Sequence, residues 1–401
     1  MGRVKTWALA EQEQGFSSNN TRVCSKCIDD VGLRRSIRRE GAHGQGCSYC
    51  PTGTEGTKSV RFNDFMHLLV KGIGTEWGDP ANEGLGWRDG QWDGATYDAY
   101  DFFQGGMLDL TFRDEGLIAD VVDSFGDRAW CRLNPYQLSP AEALSAGWKE
   151  FVRIIKHESR YVFFRMEGNS RQLDINEIPP AYFLDALGSV IASCRLYKTL
   201  DAGTTVQRIR LRKRGEKLTT AGDLGPPPLK YATAPNRMSA AGISAFYGAF
   251  DKETAIAETV GPGENRRYAT LGHFRTLREL RVVDLTTLPR LPSIFEENAR
   301  VRRDGILFLR EFLSDFRKPV KKDGKEHIEY VPTQVVAEYL RFVHRSPMGH
   351  AIDGIVYTSS RKTKRDACVI FVGPDGVRGM ADDDNDEVLA LEKVESFSLK
   401  K

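Results

Sequence analysis

Four cysteines constrain this chain more than any other feature. Cys24-Ser-Lys-Cys27 and Cys47-Ser-Tyr-Cys50 form two C-x2-C pairs with nineteen residues between them. Two thiolates on one tight turn can face a single tetrahedral ion, and a second such turn closes the shell at a Zn–S distance of ~2.3 Å. The segment between the pairs is basic and then Gly-rich, with Arg34, Arg35, Arg38 and Arg39 ahead of Gly41, Gly44 and Gly46. So short a segment buries little apolar area and needs the metal to hold it. Four thiolates leave no open coordination position, so the expected ion is a structural Zn2+ rather than a catalytic one. The plain alternative is two chance pairs of free thiols, and the regular spacing argues against it. Cys131, Cys194 and Cys368 sit among apolar neighbours and read as core.

At 401 residues the chain exceeds one typical core. Its 28% charged and 40% hydrophobic residues exclude collagen-like, coiled-coil and wholly disordered classes. No apolar run approaches the ~20 residues a membrane helix needs. The opening Met-Gly-Arg-Val-Lys-Thr-Trp lacks the charged-then-apolar layout of an export signal, so a cytoplasmic protein without a membrane partner is expected. A net charge of +2 does not argue for nucleic acid by bulk field. The halves differ: residues 1–200 hold 23 Lys/Arg against 27 Asp/Glu, and residues 201–401 hold 34 against 28. The basic second half suits an anionic small ligand. A basic zinc ribbon could touch nucleic acid, although Arg34–Arg39 reads equally as a solvated helix face.

Residues 60–200 read as mostly helical. Phe62, Phe65, Met66, Leu69 and Val70 recur at helical spacing behind Asn63 and Asp64, which are capping types. Residues 72–94 form a loop rich in Gly, Trp and Asp, and 141–157 and 180–200 are two further helix candidates. Arg61 and His67 have the spacing of an Arg…His ribonuclease pair, but a helix-face role explains His67 as well. Near residue 201 the period changes. Val206-Gln-Arg208-Ile-Arg210-Leu-Arg212 alternates with period two, which predicts a half-buried strand with arginines on one face. The expected boundaries are 1–55 for a zinc ribbon, 56–200 for a helical domain and 201–401 for a third domain.

Downstream, Gly225-Pro-Pro-Pro is a rigid loop, Asp251 caps a short Ala-rich helix carrying Glu258, and Asp353–Tyr357 and Cys368–Phe371 read as strands. There is no G-x-S-x-G elbow, phosphate loop or G-x-G-x-x-G. Arginines, one tyrosine, one glutamate and one serine around short strands remain. That set suits a ligand with phosphates and an aromatic ring, because Arg forks bind phosphate oxygens, Tyr stacks on rings and a carboxylate can stabilise a developing cation. The acidic run at 382–387 lacks EF-hand spacing and reads as a solvated loop.

These blocks resemble the RES domain over residues ~205–375. The strand carrying Arg208 matches, as do Asn236-Arg237-Met-Ser-Ala-Ala-Gly-Ile-Ser-Ala-Phe-Tyr247-Gly-Ala and Glu253-Thr254-Ala-Ile-Ala-Glu258. Pro332-Thr-Gln334-Val-Val-Ala-Glu-Tyr and Gly354-Ile-Val-Tyr-Thr-Ser359-Ser-Arg361 complete the set. The first 200 residues resemble the zinc-bearing, HEPN-like extension found before RES in one branch. The resemblance implies an α+β chain: a zinc ribbon and helical domain, then a mixed, split β-sheet similar to ADP-ribosyltransferases.

The resemblance further implies an NAD+-degrading toxin that cleaves the nicotinamide–ribose bond by phosphorolysis, with inorganic phosphate as co-substrate, or by hydrolysis. Glu258 would stabilise the ribose cation, and Arg208 and Arg237 would clamp the pyrophosphate. Tyr247 would pack on nicotinamide, and Ser359 would bond ribose or phosphate. Arg210 and Arg212 read as solvated strand-face residues, Arg237 alternatively as a structural donor to loop carbonyls, and Gln334 as near the ligand or capping a helix. Thr358 stands where the family often has proline, so Ser359 against Ser360 stays open. A helix-turn-helix antitoxin and a homo-oligomer are the partners the family suggests. The competing readings are transfer of ADP-ribose to a protein or nucleic acid, and a zinc-ribbon nucleic-acid or ligand sensor.

Overall fold

The computed structural model describes residues 14–51, 57–165, 176–261, 264–320, 324–359, 361, 365–379 and 387–399. Ser360 and the acidic residues 382–386 lie outside the described residues. The chain divides into two compact units, Met1–Leu138 with Arg290–Asp304, and Ser139–Pro289 with Gly305–Lys401. These limits fall elsewhere than residues 55 and 200, and packing explains one of them. Trp148 and Phe183, on helices expected to belong to the helical domain, meet Phe312 and Phe308 at ring distances of 4.9 and 6.2 Å.

In the first unit, strands β1 (Arg22–Cys24), β2 (Ala42–His43) and β3 (Lys58–Arg61) form an antiparallel sheet in the order β1-β3-β2. Helix α1 (Val31–Glu40) starts at Asp30, whose carboxylate accepts from the Leu33 N–H at 2.8 Å. Helix α2 (Phe62–Ile73) follows β3 directly and has no side-chain cap. Asn63, expected as a capping type, instead accepts from the Asn19 N–H at 3.1 Å. The apolar face of α2 buries Phe62, Phe65, Met66 and Leu69 completely. Part of the expected 72–94 loop is a hairpin. Trp87–Arg88 pairs with Gln91–Trp92 across Asp89-Gly90, and both turn residues have positive φ, as a two-residue hairpin turn requires.

The second unit opens with helices α3 (Pro140–His157) and α4 (Pro180–Ser193). Ser139 and Glu142 form a reciprocal capping box at the start of α3. The expected helix over 180–200 stops at Ser193, and Tyr197–Leu200 is strand β4. Then come β5 (Thr205–Arg212), β6 (Phe246–Ala249), α5 (Lys252–Thr259), β7 (Tyr268–Thr276) and β8 (Leu280–Asp284). Helices α6 (Arg300–Arg317) and α7 (Val331–Phe342) precede β9 (Gly354–Thr358), β10 (Asp366–Ile370), β11 (Val377–Arg378) and β12 (Leu389–Ser398).

The nine strands make one mixed sheet, β11-β12-β7-β5-β6-β10-β9-β8-β4, parallel only at β8/β9 and β11/β12. One junction is nearly open. β5 pairs with β7 over eight positions but with β6 only through Ala249↔Gln207. Beyond that pair the strands part, which gives the sheet its split. Among the described residues no helix is long and apolar enough to cross a membrane.

Candidate active site and candidate metal centre

The split between β5 and β6 opens into a cleft of about 570 Å³. Arg208 and Tyr247 stand on its two sides, and the Arg208 Nη1 donates to the Tyr247 carbonyl at 3.1 Å. Arg208 also lies over the Phe246 ring, 5.3 Å from its centroid. Burial, followed by the neighbouring Arg210, pushes its guanidinium down from the ordinary arginine range. Gly248 permits the close approach at the junction, since a Cβ there would stand 2.5 Å from Val206 Cγ1.

Tyr247 holds the loop across from it. Its hydroxyl accepts from the Met238 N–H at 3.1 Å and shares a 3.0 Å hydrogen bond with Ser239 Oγ. Burial raises its phenol to about 12, so the group stays neutral near pH 7. The loop is gripped from the other side by α7. Thr333 Oγ1 donates to the Arg237 carbonyl, and Gln334 Nε2 to the carbonyls of Asn236 at 2.8 Å and Ser239 at 3.3 Å. Gln334 is buried and does not itself line the cleft; its side chain holds the 236–239 loop, whose Asn236, Arg237 and Ser239 do.

Arg237 lines the cleft, yet its Nη1 and Nη2 donate to the carbonyls of Phe316 and Lys318. Its guanidinium is thus engaged in the structural way that was the alternative to a pyrophosphate clamp. Arg210 departs from the solvated reading: it lines the cleft, its Nη2 donates to the Gly225 carbonyl at 2.9 Å, and burial lowers its guanidinium. Arg212 reaches outward to the carbonyls of Lys213 and Glu216.

Glu258 comes from α5, whose N-terminus is fixed by Asp251 accepting from the Thr254 N–H at 2.9 Å. The Ser359 hydroxyl, buried just past β9, donates to the Glu258 carboxylate and accepts from the Arg361 N–H at 3.2 Å. Ser359 therefore touches the carboxylate, while Glu258 itself lines the cleft. Tyr357, which the sequence reading left without a role, lines the cleft too, and burial followed by Glu258 pushes its phenol well up. Its only signal in the sequence is its place in the block that runs from Gly354 to Arg361. Arg208, Arg237, Tyr247 and Glu258 thus line one cleft, and Ser359 is bonded to the Glu258 carboxylate.

In the first unit the sulfurs of Cys24, Cys27, Cys47 and Cys50 lie within 4.8 Å of one another. The Cys24–Cys27, Cys24–Cys50 and Cys27–Cys47 separations are 3.8, 3.6 and 3.6 Å. Such spacings are far too long for a disulfide, ~2.05 Å. They fit the ~3.8 Å edge of a tetrahedron with Zn–S near 2.3 Å. Burial raises the Cys24 thiol, hydrogen bonding to Cys47 followed by burial raises Cys27, and the same bond to Cys27 pushes Cys47 down to about 4. Nearby, Arg34 and Arg38 donate to Ser25, and Arg39 pairs with Glu40 and Glu297. Arg61 and His67 are exposed, and the His67 ring meets Phe16 edge-on at 4.9 Å. Cys131, Cys194 and Cys368 are buried core residues, as expected.

A split mixed sheet with an arginine on the strand at its opening and a Glu–Ser contact in its cleft defines the class to which the second unit belongs. Residues 206–390 match the family model described as RES domain, and residues 40–169 match HEPN/RES N-terminal domain 1. The chain belongs to the RES-domain proteins, a family of NAD+-related toxins, and carries a HEPN-like N-terminal domain and a cysteine cluster able to coordinate a metal. No curated protein matches the chain.

Proposed function

We propose that this protein consumes NAD+ by cleaving the bond between nicotinamide and ribose, as the toxin of a toxin–antitoxin or defence system. The observation that carries the reading is Glu258 in the cleft with the Ser359 hydroxyl bonded to its carboxylate. Breaking that bond develops oxocarbenium character on the ribose, as in glycoside hydrolysis. A carboxylate fixed by a hydrogen bond need not reorganise as the charge appears, which is where electrostatic catalysis gains most. Glu258 supplies the negative charge and Ser359 orients it. Arg208 holds a phosphate of the dinucleotide, and Tyr247, neutral and bonded to the 238–239 backbone and side chain, offers its ring to nicotinamide.

The departing nicotinamide becomes neutral as it leaves with the bonding pair, and the anomeric carbon takes an oxygen from inorganic phosphate or from water. Which reactant the cleft positions decides between phosphorolysis and hydrolysis, since positioning alone can contribute ~7 kcal/mol or more. The cysteine cluster holds a structural Zn2+ in this reading, contributing folding energy and no catalytic step.

The test is purified full-length protein with NAD+, with and without inorganic phosphate, resolved for nicotinamide and ADP-ribose species. Nicotinamide release that needs phosphate and yields a phosphorylated ADP-ribose establishes phosphorolysis; release without phosphate establishes hydrolysis. Turnover only when a protein or nucleic acid is added, with ADP-ribose attached to it, replaces the reading by transfer. No turnover under any of these conditions overturns it.

A further inference from the structure

Two tyrosines of the cleft use their hydroxyls differently. That of Tyr247 is committed to Met238 and Ser239. That of Tyr357 is open to the cleft and has no hydrogen-bond partner among the described residues. A tyrosine hydroxyl withdrawn from bulk water ordinarily finds a partner, so an uncommitted one inside a ligand cleft points to a partner that arrives with the ligand. The strand register places it. Tyr357 on β9 stands opposite Ala367 on β10, and Ala367 stands opposite Ala249 on β6. Opposite residues share a sheet face, and Tyr247, two residues before Ala249, shares it too. Helix α5 covers that face, with Ala255 packed against Ala249, and it carries Glu258. Neither alanine offers the Tyr357 hydroxyl a polar group. Burial, then Glu258, then Tyr247 hold its phenol well above the ordinary tyrosine range, so near pH 7 it is a neutral donor close to both residues.

We propose that Tyr357 is a catalytic residue whose hydroxyl donates to the carboxamide oxygen of the departing nicotinamide. The proposal rests on the reading of the cleft as an NAD+ site, with Glu258 at the ribose and Tyr247 at the nicotinamide ring; a donor close to both lies beside the bond that breaks. In NAD+ the charged pyridinium draws electrons from its carboxamide and leaves the oxygen a poor acceptor. As the carbon–nitrogen bond breaks, both its electrons pass to the ring nitrogen. The ring becomes neutral and the oxygen a better acceptor, while the phenol keeps its proton. A hydrogen bond that strengthens along the reaction lowers the barrier instead of only holding the substrate. The contribution is the same whether phosphate or water then bonds to the anomeric carbon.

The experiment compares full-length wild type and Tyr357→Phe on NAD+ and on an analogue carrying 3-chloropyridine in place of nicotinamide. That group also leaves as a neutral pyridine but has no carbonyl oxygen. Y357F is expected to lower kcat on NAD+ about tenfold with KM little changed, the size of one hydrogen bond gained in the transition state. On the analogue the two enzymes should agree within about twofold, since neither has an oxygen to bond. Thermal unfolding without ligand should place Y357F at or above wild type, because the hydroxyl removed has no partner in the protein. Equal turnover of NAD+ by both enzymes overturns the assignment and spares the NAD+ reading. The same loss on both substrates also overturns it, since Tyr357 would then act through Glu258 or the ribose. So does a Y357F protein that melts well below wild type or fails to fold, which would make the hydroxyl structural. Wild type that leaves both dinucleotides intact sinks the NAD+ reading and this assignment together.

Discussion

Glu258 and Ser359 make the sharpest residue-scale prediction. Ser359 donates to the Glu258 carboxylate and is not itself among the residues lining the cleft, so its loss should misplace Glu258 without emptying the cleft. A hydrogen bond to a charged group contributes ~1.5–3 kcal/mol, so Ser359→Ala should lower kcat roughly tenfold to a hundredfold with little change in KM. Glu258→Gln removes the charge itself and should lower kcat by about a hundredfold or more. Steady-state kinetics on NAD+ checks both, and an S359A enzyme with raised KM and intact kcat would mean that the serine binds substrate directly. These two residues were legible in the sequence because the blocks around them have a recognisable order. Their relation was not. A chain separation of 101 residues hides a contact that only folding creates. Arg210 was misread for a related reason: strand alternation puts Arg208, Arg210 and Arg212 on one face but cannot say where along that face the solvent begins.

At the level of elements, period-two and helical patterning located β5, α2, α3 and α5, whose sequences each carry enough alternation or capping to stand alone. The short hairpin at Trp87–Trp92 and strand β4 were overlooked. The former rests on an Asp-Gly turn and one Trp–Trp contact at 4.9 Å, the latter on four residues with one fully buried position. The loop that lines the cleft and the single point where β5 and β6 meet are also element-scale facts, and each leans on one residue. Gln334 ties α7 to the 236–239 loop through two carbonyls, so Gln334→Ala removes both of these hydrogen bonds and leaves those carbonyls only their own Asn236–Ser239 backbone pairing. The expected cost is ~1–3 kcal/mol of stability, with NAD+ turnover falling as the loop loosens. Denaturant unfolding and kinetics measured together check it, and an unchanged midpoint with full activity would deny Gln334 that role. Gly248 works by lacking a side chain. An added methyl would press on Val206 Cγ1 and Phe246 Cε1 at 2.5 and 2.8 Å, so Gly248→Ala should destabilise the protein by ~1–3 kcal/mol. A thermal midpoint at or above wild type would show that the β5–β6 junction has slack to spare.

Across the whole molecule, the two compact units keep separate cores, and the cysteine cluster belongs to one of them. Cys24 and Cys27 are buried in the core containing Phe62, Phe65 and Leu117, whereas the sheet cores around Phe246 and Ile209 include none of the four cluster cysteines. The spacing of the cysteines announced the cluster, but not this allegiance, because the core around it also draws in Phe295 from far down the chain. Metal loss should therefore be felt locally. Full-length protein is expected to carry about one zinc per chain by elemental analysis. A strong chelator should lower the melting of the first unit, since structural zinc contributes on the order of 10 kcal/mol in small zinc domains. The additional apolar core here should soften that dependence, so the unit loosens at a lower temperature instead of unfolding outright at 25 °C. Cys24→Ser/Cys27→Ser should reproduce the shift without chelator, and it should become insensitive to added zinc. Calorimetry with and without chelator reads this directly. A metal-free protein whose melting is unchanged by either treatment would reduce the four thiols to a packed cluster of free cysteines.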